Sequence, residues 1–450
     1  MQGLARNQHV RPGPLSLAVL LGVTLAATAT VRAEDLWQAY QWAEKKDPQL
    51  SAQEANYLAV TEKLPQARAQ AYMPKAQVDA AGSVNRQDIT TSTVGRGGVS
   101  TFINTSYELT VTQPVFHVDR FVQVQQADKN ILQAQAQLGA ARQDLIVRVA
   151  ERYFEVLAAM DSLQFAEAEK TALQQQLEQS RKRFEVGLIA ITDLQEAQAG
   201  HDRAVAQEIE TRNQVENAQE ALREVVGNDP RHLAQLGSSL PLAMPQPADI
   251  DKWTQTALRQ SLQIAAAQHA ADVAEDEIKR QRAGHYPSLD INGSHGYTDR
   301  GGQFPAQTEA SSIGLALTVP VYEGGAVVSR TREARHRHQE ALDRLEQQRR
   351  ATHRGARSAY LGVISNINRI KALEQAVVSN QTAVQATQTG FEVGTRTGVD
   401  VVTAERTLFQ GRRDFARARY DYVLNSLRLK QAAGTLSPED VVQVNAWLKH

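Results

Sequence analysis

Two ten-residue segments constrain the fold of this chain more than any other feature. Phe184–Asp193 reads FEVGLIAITD, and Phe391–Asp400, 207 residues later, reads FEVGTRTGVD. Each lies between long Ala-, Gln- and Leu-rich stretches without proline. A Gly that ends one helical pattern, with a Thr-Asp or Val-Asp pair opening the next, reads as the tip of a helical hairpin. Other landmarks recur at nearly the same distance. Pro114-Val115-Phe116 returns as Pro320-Val321-Tyr322 after 206 residues, Pro74 as Pro287 after 213, and Gly227 as Gly434 after 207. Offsets this constant mark an internal duplication.

Each unit has the same internal order. A helix comes first, Ala39 to about Ala71 in one copy and Thr254 to about Ala283 in the other. Pro48 and Pro65 call for a break or kink in the first copy only. Two strands follow. Ile313, Leu315, Leu317, Val319 and Val321 alternate with Gly314, Ala316, Thr318 and Pro320. Ile103, Tyr107, Leu109, Val111 and Val115 match them in the first unit, against Glu108, Thr110 and Thr112. Alternation over roughly ten residues is the length needed to cross a bilayer at a tilt. Weaker partner strands run over Gln77–Arg86 and Ser288–Tyr297, joined through the polar loops Asp88–Ser100 and Asp299–Ser311. Next comes a long helix, Val118 to Phe184 in the first unit, roughly 100 Å at 1.5 Å per residue. Leu173, Leu177, Ser180 and Phe184 step by heptad intervals there, as Asn380, Val384, Thr387 and Phe391 do in the second copy. Shorter helices return over Asp193–Val226 and Asp400–Ala433, and a tail helix is expected over Pro438–Trp447. The chain therefore divides into a leader (1–33), a first repeat (34–227), a linker (228–250), a second repeat (251–434) and a tail (435–450).

Arg6, His9 and Arg11 precede the apolar run Leu15–Ala29, which leads to Val31-Arg32-Ala33. That is the pattern of a secretory signal peptide, with cleavage expected after Ala33. Loss of its three arginines leaves 46 basic residues against 50 acidic, so no basic field for nucleic acid is implied. The chain has no cysteine, hence no disulfide framework, no thiolate metal site and no lipidation cysteine. No segment beyond the leader approaches the roughly 18 apolar residues of a spanning helix. If the chain crosses a membrane it does so with strands, and four strands cannot close a barrel while open edges are not tolerated in lipid. Copies of the chain must then complete it; two would supply eight strands and three would supply twelve.

The tip motifs, the Pro-Val-aromatic strand ends and the duplication together resemble the TolC family of outer-membrane export channels, over nearly the whole mature chain. The resemblance implies a mostly α fold with a small transmembrane β part. Long coiled-coil helices would form a periplasmic tunnel in a homotrimer, and four strands per chain would contribute to a twelve-stranded β-barrel. It implies an outer-membrane location with a periplasmic extension, in contact with outer-membrane lipid. It also implies partners: a periplasmic adaptor protein and an inner-membrane pump of the ABC or RND type. The function implied is a passive gated duct for type I secretion of proteins, for efflux of small toxic compounds, or for both. No cofactor is expected.

In that family polar links between the tips close the periplasmic entrance. The matching positions are Thr192 and Asp193 on the first tip, and Phe391, Arg396 and Asp400 on the second. Arg396 against Asp193 would be the lock, and Asp400, repeated about the axis, a ring favouring cations. Two departures weaken the match: the family's gate tyrosine is Phe391 here, and a second constriction carboxylate is Thr403. Gly187, Leu188, Ile189, Gly394 and Thr395 are expected to contact the adaptor, against the alternative that they only pack within the hairpins. His336 and His338 stand two apart in a basic run, Arg330–Arg350, and residues two apart on a helix do not face one way. A metal site is not expected there; the run reads as a solvated face. Nothing accompanies Asp193 and Asp400 that would make them catalytic, so no enzyme is expected. Two other classes compete, a structural coiled-coil protein of the envelope and a diffusion porin. The first leaves two bilayer-length hairpins unexplained, and the second requires a chain that is nearly all strand.

Overall fold

The computed structural model describes residues 34–90, 98–230, 232–237, 240–302 and 305–449. The leader, residues 91–97 of the first polar loop and residues 303–304 of the second lie outside the described residues. Helices α1 (Leu36–Lys46), α2 (Pro48–Thr61) and α3 (Lys63–Tyr72) lead into strands β1 (Lys75–Ile89) and β2 (Gly98–Phe116). Helix α4 (Val118–Glu185) descends for 68 residues and α5 (Ile191–Val226) returns. The second unit repeats this with α6 (Ile250–Gln260), α7 (Leu262–Arg282), β3 (Ser288–Arg300), β4 (Ala306–Thr318), α8 (Ala326–Glu392) and α9 (Gly398–Ala432). A short α10 (Pro438–Asn445) follows. Among the described residues no helix is long and apolar enough to cross a membrane.

The expected break in the first copy is present, at Asp47 and Glu62. Asp47 caps α2 by accepting from Leu50 N–H, ahead of Pro48 at the first helical position. Pro65 sits in the first turn of α3, where an N–H is not needed. The expectation of one continuous helix from Thr254 to about Ala283 is corrected. The chain turns at Ser261, whose side chain caps α7 at Ile264 N–H. Ser261 therefore does for the second copy what Asp47 does for the first. From cap to proline is 27 residues in the first copy (Asp47 to Pro74) and 26 in the second (Ser261 to Pro287). The extra residue falls where α2 and α3 part while α7 runs on.

The strands form one antiparallel sheet in the order β1-β2-β3-β4, so β1 and β4 each keep an unpaired edge. Cross-strand partners share a face. On one face the register aligns Ala76, Val111, Gly293 and Ile313, then Gln113, Ile291 and Leu315. On the other it aligns Gln77, Thr110, Ser294 and Ser312, then Asp79, Glu108, Gly296 and Ala310. Ile313, Leu315 and Leu317 are 84, 73 and 65% exposed, so the apolar face covers no core within the chain. Aromatic rings stand on it at two levels, and Ile103 continues it beyond the first of them. Tyr107 stacks on Tyr297 at 5.6 Å at one end; at the other, Phe116, Tyr72 and Phe121 cluster with centroids 5.5 to 6.2 Å apart. Nine residue steps along β2 lead from Tyr107 to Phe116, about 30 Å along the strand or about 23 Å across a bilayer at the usual tilt. That span is close to the height of the apolar band of an outer-membrane barrel.

The core lies midway along the helices, where α1, α4, α5, α9 and α10 meet. Tyr153 and Phe154 of α4 pack with Leu36, Tyr40, Leu222, Tyr420 and Val423. Tyr153 donates to the carbonyls of Ala234 (2.8 Å) and Glu34 (3.1 Å), and Tyr420 donates to Asp161 at 2.7 Å. This collar ties both hairpins to the N- and C-terminal segments and leaves the tips projecting from it.

Candidate functional site

The first tip forms because α4 ends in an αL glycine. Gly187 has φ +75°, and Leu188 N–H reaches back to Arg183 O at 2.8 Å. Leu188 is 72% exposed, and Ile189 is half-buried. The second tip uses Gly394, φ +79°, with Thr395 N–H and Arg396 N–H both donating to Gly390 O, at 2.8 and 3.1 Å. The two return helices start differently, which corrects the expectation that Thr192-Asp193 and Val399-Asp400 open them. Ala190 is the N-cap of α5 and offers no side-chain bond; Thr192 and Asp193 lie in its first turn. Thr397 caps α9 in a full capping box. Its hydroxyl accepts from Asp400 N–H, while Asp400 Oδ2 accepts from Thr397 N–H and Thr397 Oγ1–H, both at 3.0 Å. The Thr397 backbone N–H, then its hydroxyl, then the Arg396 charge hold the Asp400 carboxyl below the usual carboxylate range.

The tips meet through a pair that the sequence did not reveal. The Arg183 guanidinium on α4 lies 4.3 Å from the centroid of the Phe391 ring on α8, and donates to Phe391 O at 3.4 Å. Phe391 is only 7% exposed. The Phe391 ring, which has no hydroxyl, thus meets the first hairpin through its face. Arg396 and Asp193 make no ion pair within the described residues of one chain. Instead the stem of Arg396 lies against Gly390, where an added Cβ would fall 2.7 Å from Arg396 Cγ.

Above the tips the hairpins are joined by a polar layer that also went unread. Arg413 on α9 pairs with Glu169 on α4 at 3.0 Å. Glu405, 8% exposed, accepts from Gln388 at 3.1 Å through one oxygen. Its other oxygen is buried and unpartnered, as is the Gln176 amide nitrogen of α4. Burial raises the Glu405 carboxyl pKa; the Gln388 hydrogen bond opposes this and the neighbouring Glu169 charge adds to it. The residues themselves give no signal of this beyond a Glu at a seam position. Among the described residues no group of three or more His, Asp or Glu is arranged to hold a metal ion.

The family described as outer membrane efflux protein matches residues 39–228 and 253–435 of this chain. The chain belongs to that family. Outer membrane protein TolC of Vibrio cholerae is 38% identical over 441 residues, covering 97% of this chain and 98% of that protein. Outer membrane protein TolC of Escherichia coli is 33% identical over 444 residues, covering 95% and 88%. Alkaline protease secretion protein AprF of Pseudomonas aeruginosa is 32% identical over 342 residues, covering 75% and 71%. Among solved structures, the Campylobacter jejuni CmeC outer membrane channel shares the fold with a TM-score of 0.77 at 15% identity, covering 99% of this chain and 98% of that one. The protein is a non-enzymatic outer-membrane efflux or secretion channel of the TolC family, with a helical extension into the periplasm.

Proposed function

We propose that three copies close one twelve-stranded barrel over a helical tunnel and act as a passive, gated duct. A periplasmic adaptor couples the duct to an inner-membrane ABC or RND-type pump. The observation that supports this best is the sheet itself: one face polar, the other apolar and uncovered, and both edges open. A structural coiled-coil protein has no use for such a sheet.

In this reading the tips are the gate. Since Arg396 and Asp193 do not pair within one chain, the lock forms between Arg396 of one copy and Asp193 of the next, with Thr192 beside it. Asp400 from three copies lines the constriction, and Phe391 anchors the second hairpin against Arg183. Gly187, Leu188, Ile189, Gly394 and Thr395 present the adaptor-contact surface. Opening is a population shift, driven by an adaptor that binds the open tips more tightly. Relatives are named for alkaline protease secretion and for cobalt-zinc-cadmium resistance, so cargo choice is assigned to the pump and not to the duct. Single-channel recording in planar bilayers tests the gate. Arg396→Ser and Asp193→Ala should each raise closed-state conductance several-fold. Unchanged conductance in both would remove the lock.

A further inference from the structure

The helices just beneath the sheet can be oriented from the strands above them. Phe116 is in register with Leu289, and Leu289 with Leu317, so all three share the apolar face. Phe121, at the start of α4, packs edge-on against Phe116 and stacks on Tyr72, the last residue of α3. Tyr72 and Phe121 therefore stand on the side of their helices that continues the apolar face. Residues 207 apart are equivalent along α4 and α8, where Ala127 and Ala334, Leu138 and Leu345, Tyr153 and Tyr360, Val156 and Val363 are all buried. Val328 accordingly answers to Phe121 and carries that side on to α8, where it is 45% exposed.

Three arginines follow on this side. Arg68 precedes Tyr72 by four residues, and Arg332 and Arg335 follow Val328 by four and seven, spacings that keep each on the face of its partner. Arg68 and Arg332 lie one turn, about 6 Å, below the aromatic level, and Arg335 about 10 Å below it. All three are exposed and make no ion pair or hydrogen bond among the described residues. The opposite side of α8 is different. There Arg330 pairs with Glu323, Arg337 with Glu333 and Arg344 with Glu340. Charge is balanced on that side of the helix and left positive on the side of Val328. Asp128 of α4, which answers to Arg335, offsets one of the three charges.

We infer that Arg68 and Arg332 bind the phosphodiester headgroups of anionic phospholipid in the periplasmic leaflet of the outer membrane, with Arg335 adding to the field beneath them. The inference rests on the reading that the apolar face of the sheet meets lipid, and goes beyond it by naming the lipid class and its ligands. The arginines continue that face, so the molecules nearest to them are lipids of the adjacent leaflet. Headgroups lie just outside the hydrocarbon, and an arginine can lay its stem along apolar surface while its guanidinium reaches them. A guanidinium takes a phosphate through two parallel N–H···O bonds. Phosphatidylethanolamine brings its own ammonium, so a headgroup with net negative charge gains more from unpaired cations.

Native mass spectrometry of the detergent-purified trimer, titrated with phosphatidylglycerol or phosphatidylethanolamine of the same acyl chains, tests this. The unaltered protein should hold phosphatidylglycerol several-fold more tightly. Arg68→Gln/Arg332→Gln should bring the two lipids close to parity with phosphatidylethanolamine binding unchanged, whereas Arg68→Lys/Arg332→Lys should keep most of the preference. Arg337→Gln/Arg344→Gln, on the paired side of α8, is the control and should leave it intact. Equal binding of the two lipids by the unaltered trimer overturns the inference, as does a preference that survives Arg68→Gln/Arg332→Gln. A loss of trimer in that double variant with the preference unchanged overturns it too, by assigning the arginines to an adjacent copy. A water-soluble monomer that retains neither lipid overturns the reading of the sheet itself.

Discussion

Phe391 illustrates how a missing group can be replaced by a different interaction. Without a hydroxyl it cannot make the polar link expected of a tyrosine, yet its ring accepts the Arg183 guanidinium while its carbonyl takes the same cation's N–H. A cation–π contact of this exposure contributes about 1 kcal/mol. Arg183→Ala should therefore loosen the second tip, raising hydrogen exchange over residues 390–397 several-fold with little change in melting temperature, whereas Phe391→Tyr should leave exchange unaltered. Glu405 makes the opposite kind of contribution. Its folded-state pKa is raised, so the folded protein holds the proton longer than the unfolded chain does. The contribution of Glu405 is thus fully favourable below its unfolded value and declines as pH rises through the folded value. Glu405→Gln should stabilise the hairpins by about 1 kcal/mol at pH 7 to 8, and should have no such effect at pH 4. Thermal melts of the detergent-solubilised protein at the two pH values check this.

At the scale of elements, much was legible because the signals were local. Gly187, Gly394, Gly227 and Gly434 are all αL residues that end helices, as their positions in the repeat required. Long proline-free runs located the hairpins, but the strand bounds were less well read: β1 extends beyond Gln77–Arg86 at both ends, β3 runs on to Arg300, and β4 begins at Ala306, inside the loop expected over Asp299–Ser311, and ends at Thr318, so Val319 and Val321 lie beyond it. What escaped was non-local or masked by composition. Ser261 stands within an Ala- and Gln-rich pattern that reads as one helix, and the turn shows only in its extended backbone and its bond to Ile264 N–H. Arg183 and Phe391 are separated by 208 residues, and no periodicity joins them. The two terminal glycines of the repeats also differ in a way that only packing reveals. A Cβ on Gly434 would lie 2.4 Å from Gln260 O, a backbone atom that cannot yield, whereas one on Gly227 would meet the flexible Lys46 side chain at 2.9 Å. Both substitutions to Ala incur a cost of about 1 kcal/mol for the left-handed backbone. Gly434→Ala should cost considerably more, read as a lower melting temperature than Gly227→Ala gives.

For the whole molecule, the four-stranded sheet and the two tips stand at opposite ends of helices of 68 and 67 residues. In the proposed duct, charge at the tips therefore bears on entry and not on the barrel. Thr397 and Arg396 hold the Asp400 carboxyl below the usual carboxylate range, so the constriction proposed for three copies would carry fixed negative charge across the physiological range. Asp400→Asn should reduce cation preference, seen as a reversal potential closer to zero under a salt gradient, and should also weaken the α9 cap. Asp400→Glu separates these effects by retaining charge with altered cap geometry.

The unpaired margins of β1 and β4 bear on biogenesis as well as on architecture. A solitary chain released into the periplasm would carry a water-averse sheet surface with two adhesive rims. If three copies close the barrel as proposed, insertion and association are inseparable, and the rate of bilayer entry should rise steeply with protomer concentration. Escorts that shield the sheet should matter most when the protein is scarce.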